Sequence, residues 1–323
     1  MDEFSFIKSI EQSAYSQASL VQGIGDDAAV FRQQAADIVT AKDMFVENVH
    51  FARHTMDPYH IGYKALASNL SDLAAMAAEP AFYLVGISIP PHWSMEEIDT
   101  IYKGMKDLAA NYKMDLIGGD TVSGKELVIS ITVIGYVPTG KARYRSHASD
   151  GDIVFATGTL GDSQAGLHML TNAGEYIDSD YFIKRHQLPS PRVLFALALQ
   201  DISRLCLNDI SDGIASEAHE IAEASNVTIY LNDEDLPVHS SFKQFEAALQ
   251  DKWKLFGGED YEIVGTVPKE NWAQVQDAAA QLNLRVTNIG YVATNSRLGQ
   301  VFLKKKNGKI EQLEKKGYNH LSR

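Results

Sequence analysis

Cysteine is almost missing from this 323-residue chain. Cys206 stands alone, which excludes an internal disulfide framework and any zinc or iron–sulfur site built from several thiolates. Proline is sparse, at 9 residues, and 45% hydrophobic with 22% charged residues is the balance of an ordinary globular protein, not a disordered or fibrous one. No apolar run approaches the roughly 20 residues a membrane helix needs; the longest lies within 127–137. Met1-Asp2-Glu3-Phe4 offers neither the basic start nor the apolar run of a secretory signal, so a cytoplasmic protein with no membrane partner is expected. Basic side chains are also in deficit: 29 Lys and Arg face 42 Asp and Glu, a net charge of −13. That argues against a nucleic-acid partner, because duplex phosphates call for clustered Lys and Arg. A phosphate ligand would need something other than lysine to neutralise it.

The length suggests about two domains. In the first half, Asp57-Pro58 opens a helix with aspartate as cap and proline in its first turn, running through Ala65, Leu70, Leu73 and Ala77. Residues 81–89 read as a buried strand, and Ser94-Met95-Glu96-Glu97 is a capping box for a helix reaching about Tyr112. Leu116-Ile117 leads into a Gly118-Gly119-Asp120 turn, and 126–137 is strand-like. Residues 138–151 are polar, with Lys141, Arg143 and Arg145, and read as a linker. The second half restarts with a strand at 152–157 and a helix from Asp162, then a helix through Leu199 and a strand at 205–210. A helix to Ala224, a strand at 227–231, a surface helix at 240–249 and strand-like 254–267 follow, then a helix opened by Pro268 and strands at 285–292 and 300–303. Two α/β domains, 1–138 and 148–323, are expected.

Two glycine motifs mislead. Gly23-Ile24-Gly25-Asp26-Asp27-Ala28 fits the dinucleotide fingerprint, with Asp43 about 20 residues on, but Ala29-Val30-Phe31 after it is strand-like and its two carboxylates would repel a pyrophosphate. The 135–142 segment approaches a Walker A loop, but Ala142 replaces the hydroxyl residue that holds magnesium, and Arg143-Tyr144-Arg145-Ser146-His147 opens a helix poorly.

Aspartates recur at predicted strand ends or in glycine turns: Asp26-Asp27, Asp43, Asp120, Asp209 and Asp212. Asp72 instead shares a helix face with Asn69, three residues before it. One aspartate in a turn needs no function. A set of them at strand ends, where open α/β sheets bind ligands, would raise one another's pKa unless cations were present, and Mg²⁺ takes such oxygen ligands together with substrate phosphates.

The motifs recur in a set order. They are 23–30, Asp43 through His50-Phe51, the 63–76 stretch containing Asn69-Leu70-Ser71-Asp72, and Gly118-Gly119-Asp120-Thr121. Then come 157–163, Ile183-Lys184-Arg185-His186, 209–213, Gly257-Gly258-Glu259-Asp260-Tyr261-Glu262 and Gly317-Tyr318. In this order the chain resembles the thiamine-monophosphate kinase family, of the superfamily that also holds aminoimidazole ribonucleotide synthetase, selenophosphate synthetase and a hydrogenase maturation factor. The resemblance implies a two-domain fold of that superfamily, an N-terminal mixed sheet that pairs across a homodimer, and ATP-dependent phosphorylation of thiamine monophosphate with several Mg²⁺ ions. Asp27, Asp43, Asp72, Asp120, Asp209 and Asp212 would hold magnesium, with the carbonyl of Lys42. Gly119, Asp120, Arg145 and Ser211 would contact ATP, and His50, Glu259 and Tyr318 the thiamine substrate. Ala41 and Lys42 depart from the hydroxyl residues usual before the aspartate matching Asp43.

On residues alone, His50 between Val49 and Phe51 reads equally well as a packed histidine, Arg145 as a solvated linker charge and Tyr318 as a packing aromatic. Two other functions stay open: a sibling ATP-dependent synthetase, and an inactive metal–nucleotide-binding regulator, which the loss at Ala41 would favour. Sibling chemistry with a reactive cysteine is disfavoured by Cys206, flanked by Leu205 and Leu207.

Overall fold

Period-two alternation along 128–138, with Ile129, Ile131, Val133 and Val137 buried and their neighbours half-exposed, makes a strand with one face against a core. It belongs to one of two units in the computed structural model, which describes residues 15–22, 30–31, 36–294 and 297–317. The first unit comprises Met1–Leu73 and Ala78–Ala142, the second Ala74–Ala77 and Arg143–Arg323. Both are α/β.

In the first unit, strands β3 (Ala36–Val46), β4 (Glu79–Ile89), β5 (Asp115–Ser123) and β6 (Val128–Pro138) form a mixed sheet in the order β3-β6-β4-β5, parallel only between β4 and β5. Helix Pro58–Ala75 starts where Asp57 and Pro58 place it and buries Ile61, Leu66, Leu70 and Leu73 completely. Helix Met95–Asn111 is the crossover between the parallel strands. Its capping box is formed, Ser94 Oγ accepting the Glu97 N–H and Glu97 accepting that of Ser94 at 2.8 Å. Gly118-Gly119-Asp120 is not a turn; it lies inside β5. The reason is close approach, since a Cβ on Gly119 would fall 2.0 Å from the Val85 carbonyl oxygen. Asp43 likewise sits within β3, so strand-end placement holds for neither Asp43 nor Asp120.

β1 (Leu20–Gln22) pairs antiparallel with β2 (Val30–Phe31), whereas a dinucleotide fold needs a parallel pair joined by a helix. The 135–142 segment leaves β6 through a turn at Gly140 (φ 72°) and reaches only a 3₁₀ turn at Arg145–His147. The 135–142 motif therefore lacks its required setting, while Gly23 through Ala28 lie outside the described residues.

The second unit is a seven-stranded sheet. Its strands are β7 (Ile153–Thr157), β8 (Cys206–Ile210), β9 (Thr228–Asn232), β10 (Glu262–Val267), β11 (Val286–Ala293), β12 (Gln300–Lys304) and β13 (Ile310–Gln312), in the order β13-β12-β9-β11-β7-β10-β8. Only β9 and β12 run parallel, so ligand placement borrowed from parallel sheets does not transfer. Helix Ile214–Ser225 seals one core through Ile214, Ala218, Ile221 and Ala222 against Val154, Ile229 and Val264. A second core gathers Ala165, Met169, Phe182, Phe242, Phe245 and Trp253.

Two expectations fail here. The surface helix at 240–249 is a 3₁₀ turn, Ser240–Gln244, followed by helix Ala247–Phe256, whose Trp253 and Leu255 are buried. The strand-like 254–267 is the end of that helix, a loop, and then β10. The loop cannot be a strand because Glu259 (φ 66°) and Tyr261 (φ 50°) are left-handed. Helix Ser179–Gln187 and strand β13 had no sequence signal strong enough to predict them.

Candidate functional site

In the first unit, Asn69 ties strand to helix. Fully buried, it accepts the Asp43 N–H through Oδ1 at 3.0 Å and donates to the Ala65 carbonyl at 2.9 Å. Burial raises the Asp43 carboxyl above its ordinary range, and a hydrogen bond from Ser68 offsets only part of that. Asp72 follows Asn69 by three positions on the same helix and is half-buried.

Cross-strand register sorts the other predicted residues by face. Asp43 lies in line with Ile131, Val85 and Gly119, whereas Asp120 lines up with Gly86, Ser130 and Met44. Asp43 and Asp120 therefore leave opposite faces of the sheet. Ala41 shares the Asp43 side, while the exposed Lys42 departs on the other and does not crowd that carboxylate.

His50 is packed and polar at once. It stacks on Phe45 (centroids 5.3 Å), and its Nδ1 accepts the Val46 N–H at 3.0 Å. An Nδ1 that accepts carries no proton, so the ring is the neutral Nε2–H tautomer, a donor at Nε2. The loop bearing it is anchored by Glu47, 5% exposed, whose carboxylate accepts the Leu127 N–H and the Trp93 indole N–H, each at 3.1 Å.

In the second unit, the chain leaves β8 through Ser211-Asp212-Gly213 into helix Ile214–Ser225. Glu217, in the first turn of that helix, accepts the Asp212 N–H (3.1 Å) and the Ser211 hydroxyl (3.4 Å), the reciprocal of an N-cap. Glu217 also accepts from Asn208 Nδ2 at 2.8 Å, and Asn208 Oδ1 accepts Arg145 Nε at 2.9 Å. The Arg145 guanidinium pairs with Glu220 at 3.1 Å, so Arg145 is a held side chain and not a loose linker charge. Burial, then the charges of Asp209 and Glu220, push the Glu217 carboxyl well above the usual range. Asn208, Glu217 and Glu220 were not singled out from the sequence. The available signal was position: Asn208 precedes Asp209, and the two glutamates lie one turn apart on the helix that follows.

Glu259 joins this group, its N–H donating to the Ser211 carbonyl at 2.6 Å and its carboxylate 3.8 Å from His186 Nδ1. Gly317 packs against Asp212, where a Cβ would fall 2.7 Å from the Asp212 carbonyl oxygen. Asp27 and Tyr318 lie outside the described residues. Cys206 is fully buried at the start of β8, and burial pushes its thiol up to about 12, which removes it as a nucleophile.

Among the described residues no three His, Cys, Asp or Glu side chains are already arranged to hold a metal ion. The donor chemistry nevertheless fits a hard cation. Asp43 is a desolvated carboxylate, and Glu217 lies close enough to Asp209 and Glu220 to feel both charges, with Glu220 paired to Arg145.

Residues 25–137 match the family described as AIR synthase related protein, N-terminal domain, and residues 149–301 match its C-terminal domain. The chain is 46% identical to the thiamine-monophosphate kinase of Bacillus subtilis strain 168, over 99% of each. It resembles the crystal structure of thiamine-monophosphate kinase from Stenotrophomonas maltophilia K279a (31% identity, TM-score 0.83, 94% of this chain and 95% of that one). It also resembles AaThiL complexed with AMPPCP and TMP (30% identity, TM-score 0.78, 99% and 97%).

Proposed function

Because the chain belongs to the thiamine-monophosphate kinase family, among the AIR synthase-related proteins, we propose that it transfers the γ-phosphoryl group of ATP directly to thiamine monophosphate, giving thiamine diphosphate and ADP. The observation that carries this reading is the hydrogen-bonded group at the end of β8, where Asn208 and Glu217 link Arg145 to the Ser211-Asp212 turn and the Glu259 N–H donates to Ser211. The complex of a relative with AMPPCP and TMP supports the same pair of substrates.

Asp27, Asp43, Asp72, Asp120, Asp209 and Asp212, with the Lys42 carbonyl, would hold several Mg²⁺ ions, which supply charge neutralisation to the phosphates when bound; leaving opposite faces of the sheet, Asp43 and Asp120 would not share one ion. Gly119, Asp120, Arg145 and Ser211 bind ATP in this reading, and His50, Glu259 and Tyr318 bind the acceptor. One bond forms, from an acceptor phosphate oxygen to Pγ, and one breaks, from Pγ to the oxygen bridging it to Pβ. The acceptor needs no general base, because a phosphate monoester with its second pKa near 6 is largely ionised at neutral pH. Positioning and charge stabilisation therefore supply the rate. Arg145, fixed by Asn208 and Glu220, presents a guanidinium to phosphate oxygens, and His50 donates through Nε2. We assign residues 1–138 to metal and nucleotide binding and dimerisation, and 148–323 to completing the site.

ADP release coupled to a reporter reaction tests the function. ADP should appear only with thiamine monophosphate, ATP and Mg²⁺ together, and no ADP under those conditions overturns the reading.

The partner we propose is a second copy. The face of the four-stranded sheet turned away from the helix core exposes Ile38, Met44 and Val122, each at least half accessible. Light scattering should give twice the chain mass, and Met44→Lys should lower it toward one; a monomeric wild type contradicts the homodimer.

A further inference from the structure

Three motifs of the sequence, at 157–163, 183–186 and 257–262, carry little assigned function, yet they meet inside the second unit. Glu262 is fully buried. It accepts Arg192 Nε (2.6 Å) and a second Arg192 nitrogen, Arg185 (2.7 Å) and the Thr157 hydroxyl (2.6 Å). Asp260, 1% exposed, accepts the backbone N–H groups of Gly161 (2.6 Å) and Ser163 (3.0 Å), while its own carbonyl accepts Arg185 at 3.1 Å. Asp162 accepts the Thr159 and Tyr181 hydroxyls and lies 3.6 Å from Arg185 Nε.

Burial and the Asp162 charge push Asp260 up to about 8, while against its own burial Arg192 and Arg185 hold Glu262 below the usual carboxylate range. Five ionisable groups are thus taken out of water. Such a network is a poor source of stability compared with apolar packing of the same volume; what it can provide is one fixed orientation.

The segment it fixes is the left-handed one. Glu259 and Tyr261, neither of them glycine, are held at φ 66° and 50°, with their N–H groups donating to the Ser211 (2.6 Å) and Ile210 (2.9 Å) carbonyls. Non-glycine residues persist there only where the surroundings enforce it, and such positions cluster at ligand sites. Asp260 between them is locked inward, while the Glu259 side chain stays 22% exposed. Its carboxylate faces His186, itself 3.1 Å from the Ser163 hydroxyl.

We propose that the Asp162–Arg185–Arg192–Asp260–Glu262 network is a positioning device for Glu259, setting its carboxylate for the cationic thiamine portion of the acceptor. The proposal rests on the reading of Glu259 as an acceptor contact. Asp260 and Arg185 are positioning residues and touch no substrate.

A double-mutant cycle on the full-length enzyme tests it, with steady-state kinetics in each substrate. Asp260→Asn keeps the side-chain shape but turns an amide donor toward one of the two backbone N–H groups. It should raise KM for thiamine monophosphate about tenfold and leave KM for ATP within about twofold. In a Glu259→Gln background the same change should add almost nothing, because both act through one contact. If its effect is undiminished there, or falls equally on ATP, the positioning role is overturned while the acceptor role of Glu259 stands. If Glu259→Gln alone leaves KM for thiamine monophosphate unchanged, the acceptor reading fails, and the positioning proposal with it. Should Asp260→Asn fail to fold, Arg192→Lys, which keeps the charge but loses the two-pronged hold on Glu262, carries the same cycle with an expected rise of about threefold.

Discussion

Asp43→Asn is expected to lower turnover by about a hundred- to a thousandfold, the range for removing one electrostatic contact to a transition state, without lowering stability. The two effects separate because of where Asp43 sits. Burial lifts its carboxyl above the ordinary range, so at neutral pH the ionised form is held at a cost that a neutral amide does not incur. The change leaves the backbone tie untouched, since Asn69 accepts the residue-43 N–H and not its side chain. Urea denaturation without Mg²⁺ should therefore give an equal or higher midpoint for the variant. Adding Mg²⁺ with nucleotide should stabilise the wild type, by about 2.7 kcal/mol at a hundredfold excess over Kd, and stabilise the variant less. A fully active Asp43→Asn enzyme would remove Asp43 from the metal set.

The second large effect concerns stability. Glu262→Leu should destabilise the second unit by about 3–5 kcal/mol, the cost of stripping one partner from a buried ion network. Arg185 and Arg192 would each lose their main counter-charge, and the Thr157 hydroxyl an acceptor. Size does not explain such a loss, because leucine fills most of the space of glutamate. Chemical denaturation followed by far-UV circular dichroism measures it. A loss under about 1 kcal/mol, the level of exposed pairs, would mean the network is far better solvated than its burial implies.

Features governed by local chemistry were legible in the sequence. Asp57-Pro58 and Ser94 with Glu97 mark their helix starts because caps satisfy backbone groups a few residues away. Alternation along 128–138 shows a half-covered strand for the same short-range reason. Gly118-Gly119 misled because glycine serves turns and close strand contacts alike, and only the neighbouring Val85 carbonyl decides between them. The 257–261 loop was hidden because its left-handed residues are glutamate and tyrosine, held there by tertiary hydrogen bonds that no local pattern encodes. Of the residues proposed for the site, the aspartates and Arg145 stood out by type and by motif order. Asn208 and Glu217 did not, since an asparagine and a helical glutamate acquire meaning only from what folds against them.

The sealed position of Cys206 has a practical consequence. It is the chain's single sulfur able to form a thiolate, and it stays protonated far above neutral pH at a site no reagent reaches without unfolding. The folded enzyme should therefore keep its thiol through thiol-directed alkylation and air oxidation with no added reductant, and labelling of that sulfur reports how often the sheet opens.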